Sequence, residues 1–100
     1  MLTINKTAEG EKVTFSLEGN LDIDTAPQLE AELKRALDRT TELVFDFQGL
    51  KYISSAGLRV LLLAQKQMNR QGRMRLVHVG ETVMETLEIT GFADIFYIAD

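Results

Sequence analysis

The segment Glu42-Leu43-Val44-Phe45-Asp46-Phe47 does most to limit what this chain can fold into. It is a near-continuous apolar run of the kind that fills a strand covered on both faces, and Gln48-Gly49 then breaks it. Beyond the break, Leu58 opens a segment reaching Arg70 whose length favours a helix over a strand. Ser54 or Ser55 suits its N-cap, because a short hydroxyl side chain can accept from an unpaired helix N–H. The succession predicts that two small hydroxyl residues pass from a buried strand to the start of a helix, where a serine is displayed on the surface.

The remaining elements follow from periodicity and punctuation. Leu2 and Ile4 alternate with polar neighbours, as do Val13, Phe15 and Leu17, and Glu9-Gly10-Glu11 between them predicts the turn of a β-hairpin. Thr25, with Gln28 three residues on, has capping-box spacing, and Pro27 falls in the first turn, where its missing N–H costs little. In the helix so begun, Leu29, Leu33, Ala36 and Leu37 form the apolar stripe and Glu30, Lys34, Arg35 and Asp38 the wet face. At 100° per residue, the second helix places Leu58, Leu61, Leu62, Ala64 and Met68 together, opposite Arg59, Lys66 and Arg70. Leu63 falls among those charges. Met74 to Val79 reads as another strand, Glu81 to Thr90 as a third helix closed by Gly91, and Ile95 to Ile98 as a last short strand. The order ββαβαβαβ predicts an α/β fold, a mixed β-sheet with helices packed against it. With no repeat, linker or low-complexity tract, and 45% hydrophobic residues in a chain of 100, a single domain over residues 1–100 is expected.

Composition excludes several functions. Eleven basic residues against fifteen acidic ones give a net charge of −4 and leave no basic stripe for a phosphate backbone, so direct nucleic-acid binding is not expected. There is no cysteine for disulfide or thiolate chemistry, and the N-terminal Met-Leu-Thr-Ile-Asn-Lys carries neither a signal-peptide core nor a lipidation signal. The longest apolar run, Val60 to Ala64, is too short to span a bilayer. A cytoplasmic protein without membrane insertion is expected.

Catalytic constellations are missing as well. His78, the only histidine, lies in an apolar strand pattern without cysteine or a carboxylate cluster, and reads as a structural residue. Ser54 and Ser55 have neither an activating base at Ser/His/Asp spacing nor a Gly-x-Ser-x-Gly elbow, so a hydrolase is a remote reading. Asp22 and Asp24 precede a helix as turn and cap residues do, which argues against a metal pair. No phosphate-binding Gly-x-x-x-x-Gly-Lys-Ser/Thr loop is present, so any phosphoryl donor must come with a partner. The chain is expected to be no enzyme and to hold no metal or cofactor. Ser-Ser before a helix is ordinarily a plain cap, yet the helix dipole and free N–H groups there would also tolerate a phosphate.

Two motifs turn that alternative into a specific expectation. Asp46, Phe47, Leu50, Ile53, Ser55, Ala56, Gly57 and Leu58 match a strand ending Asp-Leu that leads through a hydrophobic pair to Asp-Ser-Ser/Thr/Ala-Gly-Leu. Upstream, Gly19, Leu21, Asp22, Thr25, Ala26 and Leu29 match Gly-x-Leu-Asp-x-x-Thr-Ala-x-x-Leu. In both, the chain resembles the STAS domains of the anti-sigma factor antagonist family, and the resemblance covers almost its whole length. It implies the STAS fold, with Ser55 as the phosphorylatable serine. Ser54 is the second choice, since it stands where the family often has an acidic residue. The resemblance further implies bacterial partner switching. The unmodified form binds an anti-sigma factor serine kinase of the GHKL type and frees the sigma factor, phosphorylation on Ser55 blocks binding, and a PP2C-type phosphatase restores the hydroxyl. The partner surface so expected comprises Asp22, Thr25, Ser54, Ser55, Ala56, Gly57 and Arg59, with Leu63 added from its place on the charged face of the helix. The alternative is a non-catalytic STAS scaffold subunit of a stressosome-like or phospholipid-transport complex.

Overall fold

The computed structural model describes residues 1–99. Strands β1 (Leu2–Glu9) and β2 (Lys12–Leu21) form an antiparallel hairpin that turns at Gly10, whose φ of 60° suits a residue without Cβ. Then follow α1 (Ala26–Ala36), β3 (Glu42–Ile53), α2 (Ser55–Gln71), β4 (Arg73–Val77), α3 (Glu81–Thr90) and β5 (Ile98–Ala99). The sheet runs β1-β2-β3-β4-β5, parallel from β2 onward. The expected ββαβαβαβ order and mixed sheet are therefore present.

This strand order has a physical consequence that the apolar run did not disclose. Each crossover adds its new strand on the same side of the last, and right-handed connections that always step one way put every helix on one face. Val13, Phe15 and Leu17, Leu43, Phe45 and Phe47, and Met74 and Leu76 point into that face and share one core with Leu29 and Leu33, Leu58 and Leu61, and Val83 and Leu87. Phe15 and Phe45 are paired across β2 and β3 and stack with ring centres 5.9 Å apart. The expectation that the strand at Glu42–Phe47 is covered on both faces is thus corrected. Val44 lies outside the main core, between its strand neighbours Thr14 and Arg75, although it is buried.

Several boundaries also move. Gln48-Gly49 does not end β3, which runs on to Ile53. The pairing passes from Ser16↔Asp46 to Glu18↔Gly49 and from Gly19↔Leu50 to Asn20↔Tyr52, so β3 carries one extra residue in each interval. A Cβ on Gly49 would lie 2.7 Å from Glu18 Cγ, so the glycine marks a close approach at a bulge instead of a strand end. Helix α2 begins at Ser55, directly after Ser54, one of the two serines expected as its N-cap, and three residues before the segment that opens at Leu58. β4 stops at Val77, short of the expected Val79, and β5 is confined to Ile98–Ala99, leaving Ile95 as the cap of a short 3₁₀ turn, Phe92–Asp94. Helix α3 has the expected span and closes on Gly91 in the left-handed conformation, φ 81°. None of the helices among the described residues is long and apolar enough to cross a membrane.

Candidate functional site

Parallel pairing of Leu21 with Ile53 ends β2 and β3 side by side, so the loop Asp22–Thr25 and the start of α2 emerge together. A 2.9 Å hydrogen bond from the Ser54 N–H to the Leu21 carbonyl ties the two segments. Ser54 is extended, its carbonyl accepts from the Leu58 N–H at 2.9 Å, and its Oγ accepts a longer bond from the Gly57 N–H at 3.4 Å. The two serines therefore divide the work. Ser54 is the N-cap, while Ser55 is the first helical residue, exposed, with no hydrogen bond from its hydroxyl among the described residues.

Gly57 is buried where α2 meets the end of β2. A Cβ there would sit 2.7 Å from Leu21 Cγ and 3.0 Å from Ile53 Cγ1, both in fully packed side chains. Gly57→Ala is accordingly expected to cost about 1–3 kcal/mol through overpacking, read as a lowered melting temperature, and to displace the start of α2. Stability equal to wild type would show that the two segments can separate without strain.

The loop is built around one carboxylate. Asp22 Oδ1 accepts from the Asp24 N–H at 3.0 Å and the Thr25 N–H at 3.1 Å, and the Thr25 hydroxyl lies 3.1 Å away. Partial burial pushes the Asp22 carboxyl up, but these Thr25 and Asp24 donors outweigh it and hold the group below its ordinary 3.8. With the folded-state value depressed, its stabilisation is complete above that ordinary value and is lost only as pH falls through the lowered one. Thr25 borders α1, but its hydroxyl makes no cap bond to the helix. It donates to the Asn20 carbonyl at 2.8 Å and accepts from the Asp22 N–H at 2.9 Å, while the Gln28 amide reaches the Leu2 carbonyl at 3.2 Å. The expected capping box is therefore absent, because both side chains bond to the backbone of the hairpin instead.

Of the expected surface residues, Ser55 and Arg59 are exposed, Leu63 is 50% exposed, and Asp22, Ser54 and Ala56 are half-buried. Thr25 and Gly57 are buried, so they shape the surface without presenting side chains. On α2, Leu58, Leu61, Ala64 and Met68 are buried as expected, Leu62 only partly, and Val60 joins the buried set. Two apolar residues escaped the pattern reading. Ile23, 75% exposed between Asp22 and Asp24, and Tyr52, 49% exposed near the end of β3, flank the same edge. The signal for Ile23 was an isolated apolar residue within a polar turn.

His78 departs from the strand reading. It follows β4 with φ 56°, is exposed, and lies 3.0 Å from the Asp46 carboxylate, which also accepts from the Gln48 N–H at 3.0 Å. Among the described residues, no group of three or more His, Cys, Asp or Glu side chains is placed to hold a metal.

The STAS domain profile matches residues 3–100. The chain belongs to the STAS family. This STAS chain is 44% identical over 86 residues to BtrV of Bordetella bronchiseptica, a candidate anti-sigma factor antagonist, covering 84% of the present sequence and 74% of BtrV. In three dimensions it resembles an anti-sigma factor antagonist from Mycobacterium paratuberculosis, with TM-score 0.88, 22% identity, and coverage of 98% and 85% of the two chains. It also resembles the phosphorylated form of the Bacillus cell fate determinant SpoIIAA, with TM-score 0.74, 20% identity, and coverage of 100% and 92%. The STAS fold expected from the two motifs is thus the fold observed.

Proposed function

We propose that this STAS protein is an anti-sigma factor antagonist, a non-catalytic cytoplasmic binding module of one domain that phosphorylation on Ser55 switches off. The observation that carries the reading is an exposed Ser55 hydroxyl, unbonded among the described residues, on the first residue of α2, beside a loop locked by Asp22. In its unmodified form the chain docks on an anti-sigma factor serine kinase of the GHKL type, which releases its sigma factor. The kinase supplies the ATP, and a PP2C-type phosphatase removes the phosphate. The partner surface is Asp22, Thr25, Ser54, Ser55, Ala56, Gly57, Arg59 and Leu63, with Thr25 and Gly57 acting by position. Support comes from BtrV, which bears the antagonist name, and from SpoIIAA, a protein of this fold that has a phosphorylated form.

The physics of the switch is local. A phosphoserine adds about −1.5 to −2 charge, and at the first turn of a helix the free N–H groups and the dipole accommodate it without refolding. Arg59 stands one helical turn further on, exposed and without an ion pair among the described residues. At i,i+4 spacing it is in reach of that phosphate, so modification both inserts an anion into the docking face and withdraws a cation from the partner. Incubation with the cognate kinase and ATP, followed by phosphopeptide mapping, tests the assignment. Labelling should vanish in Ser55→Ala and survive in Ser54→Ala; modification of Ser54 alone would overturn it.

Asp22 is proposed to shape the loop. Its carboxylate oxygen is engaged by Asp24 and Thr25, and asparagine offers an oxygen in the same place. Asp22→Ala is expected to lower the melting temperature and weaken kinase binding about tenfold, whereas Asp22→Asn keeps most of both. Equal loss of affinity in the two variants, at unchanged stability, would instead place the charge itself against the partner.

A further inference from the structure

Between α1 and α2 the helical layer leaves an open apolar cleft of about 130 Å³, floored by Leu33, Leu37, Val60 and Ala64 with Leu63 on its lip. We propose that this cleft is a second seat for the same anti-sigma partner, receiving one apolar side chain from an amphipathic helix whose flanking residues are acidic. This rests on the docking role assigned above to the face of Ser55.

Three observations select that occupant. The cleft approaches the ~150 Å³ that accommodates a benzene-sized apolar group, and its floor offers almost no polar partner for water. Charge points to acidic flanks. Helix α2 contains no Asp or Glu, and its charged residues Arg59, Lys66 and Arg70 are exposed and unpaired among the described residues. Across the cleft, Lys34 is already neutralised by Glu30 at 3.6 Å, so the uncompensated charge is cationic and lies on α2. Continuity supplies the third. Ser55, Arg59 and Leu63 recur at i, i+4 and i+8, spanning about 12 Å of helix rise, so a partner helix of three turns touches the serine and the cleft together.

The experiment is calorimetric titration of the whole chain into its anti-sigma partner at two salt concentrations, with melting temperatures measured in parallel. Gln67→Trp places an indole at the mouth of the cleft, Leu63→Ala removes its lip, Lys66→Glu reverses one flanking charge, and Ser55→Asp serves as the control for docking itself. Gln67→Trp and Leu63→Ala should each weaken binding about 10- to 100-fold with little change in melting temperature, and Lys66→Glu should weaken it while reducing its salt dependence. Should Gln67→Trp prove unfolded, Lys34→Trp at the exposed opposite lip replaces it. Wild-type affinity in both cleft variants, with binding weakened in Ser55→Asp, would overturn the cleft proposal and take Leu63 out of the partner surface, and would leave the docking role of Ser55 standing. Wild-type affinity in Ser55→Asp would overturn the docking reading and the cleft proposal with it. A concentration-dependent dimer in sedimentation that Gln67→Trp abolishes would show that a second copy of this chain occupies the cleft, and would also overturn the proposal.

Discussion

Phe45→Ala is expected to cost about 3–5 kcal/mol of stability, among the largest losses any single truncation of this chain can produce. Phe45 is wholly buried in the central strand, stacked on Phe15 at 5.9 Å and tilted against Phe47 at 6.2 Å, so no neighbour can close the void without breaking another contact. In a chain of 100 residues each kcal/mol shifts the melting temperature by roughly 4–8 °C, so a fall of at least ~12 °C is expected by calorimetry. Against a total stability of about 5–15 kcal/mol, that loss is from about a fifth of the total to all of it. The adjacent residue provides the contrast. Val44 is buried to a similar degree but on the face without helices, and truncating it should cost clearly less. Equal losses at both positions would mean that the open face is covered in solution.

Ser55→Asp is expected to weaken partner binding by up to two powers of ten while leaving the fold intact or slightly steadier. The two effects have opposite signs because they have different origins. A carboxylate on the first helical residue gains about 0.3–1 kcal/mol from the dipole and free N–H groups of α2. In the complex the same charge must be desolvated within a face that was neutral at that point, and a loss of ~3 kcal/mol there corresponds to about a hundredfold in affinity. Titration and melting of one preparation give both numbers. Unchanged affinity with a lowered melting temperature would reduce Ser55 to a structural helix residue. Phosphoserine, with the greater charge, should exceed aspartate in the loss of binding and grow more sensitive to salt.

What local chemistry dictates was legible in the residues themselves. The hairpin around Gly10, the buried stripe Leu58, Leu61, Ala64 and Met68, the glycine closure at Gly91 and the serine cap of α2 each depend on neighbours within a turn or two, and periodicity or punctuation records them. The two motifs likewise marked Asp22 and Ser55 as members of one fold, because their spacing reflects two consecutive strand ends. Tertiary structure decided the rest. Whether Leu43, Val44 and Phe45 were covered on one face or two depended on which way the crossovers step. An apolar run reads the same in either case. Gln48-Gly49 reads as a break, but the neighbouring β2 absorbs the irregularity as a bulge and β3 continues. Thr25 and Gln28 have the spacing of a capping box, yet the carbonyls of Asn20 and Leu2, brought in by the hairpin, capture their side chains. The joining of Ser55 to the Asp22 loop is likewise an outcome of parallel pairing at Leu21 and Ile53, a contact between residues thirty-two apart that no local pattern encodes.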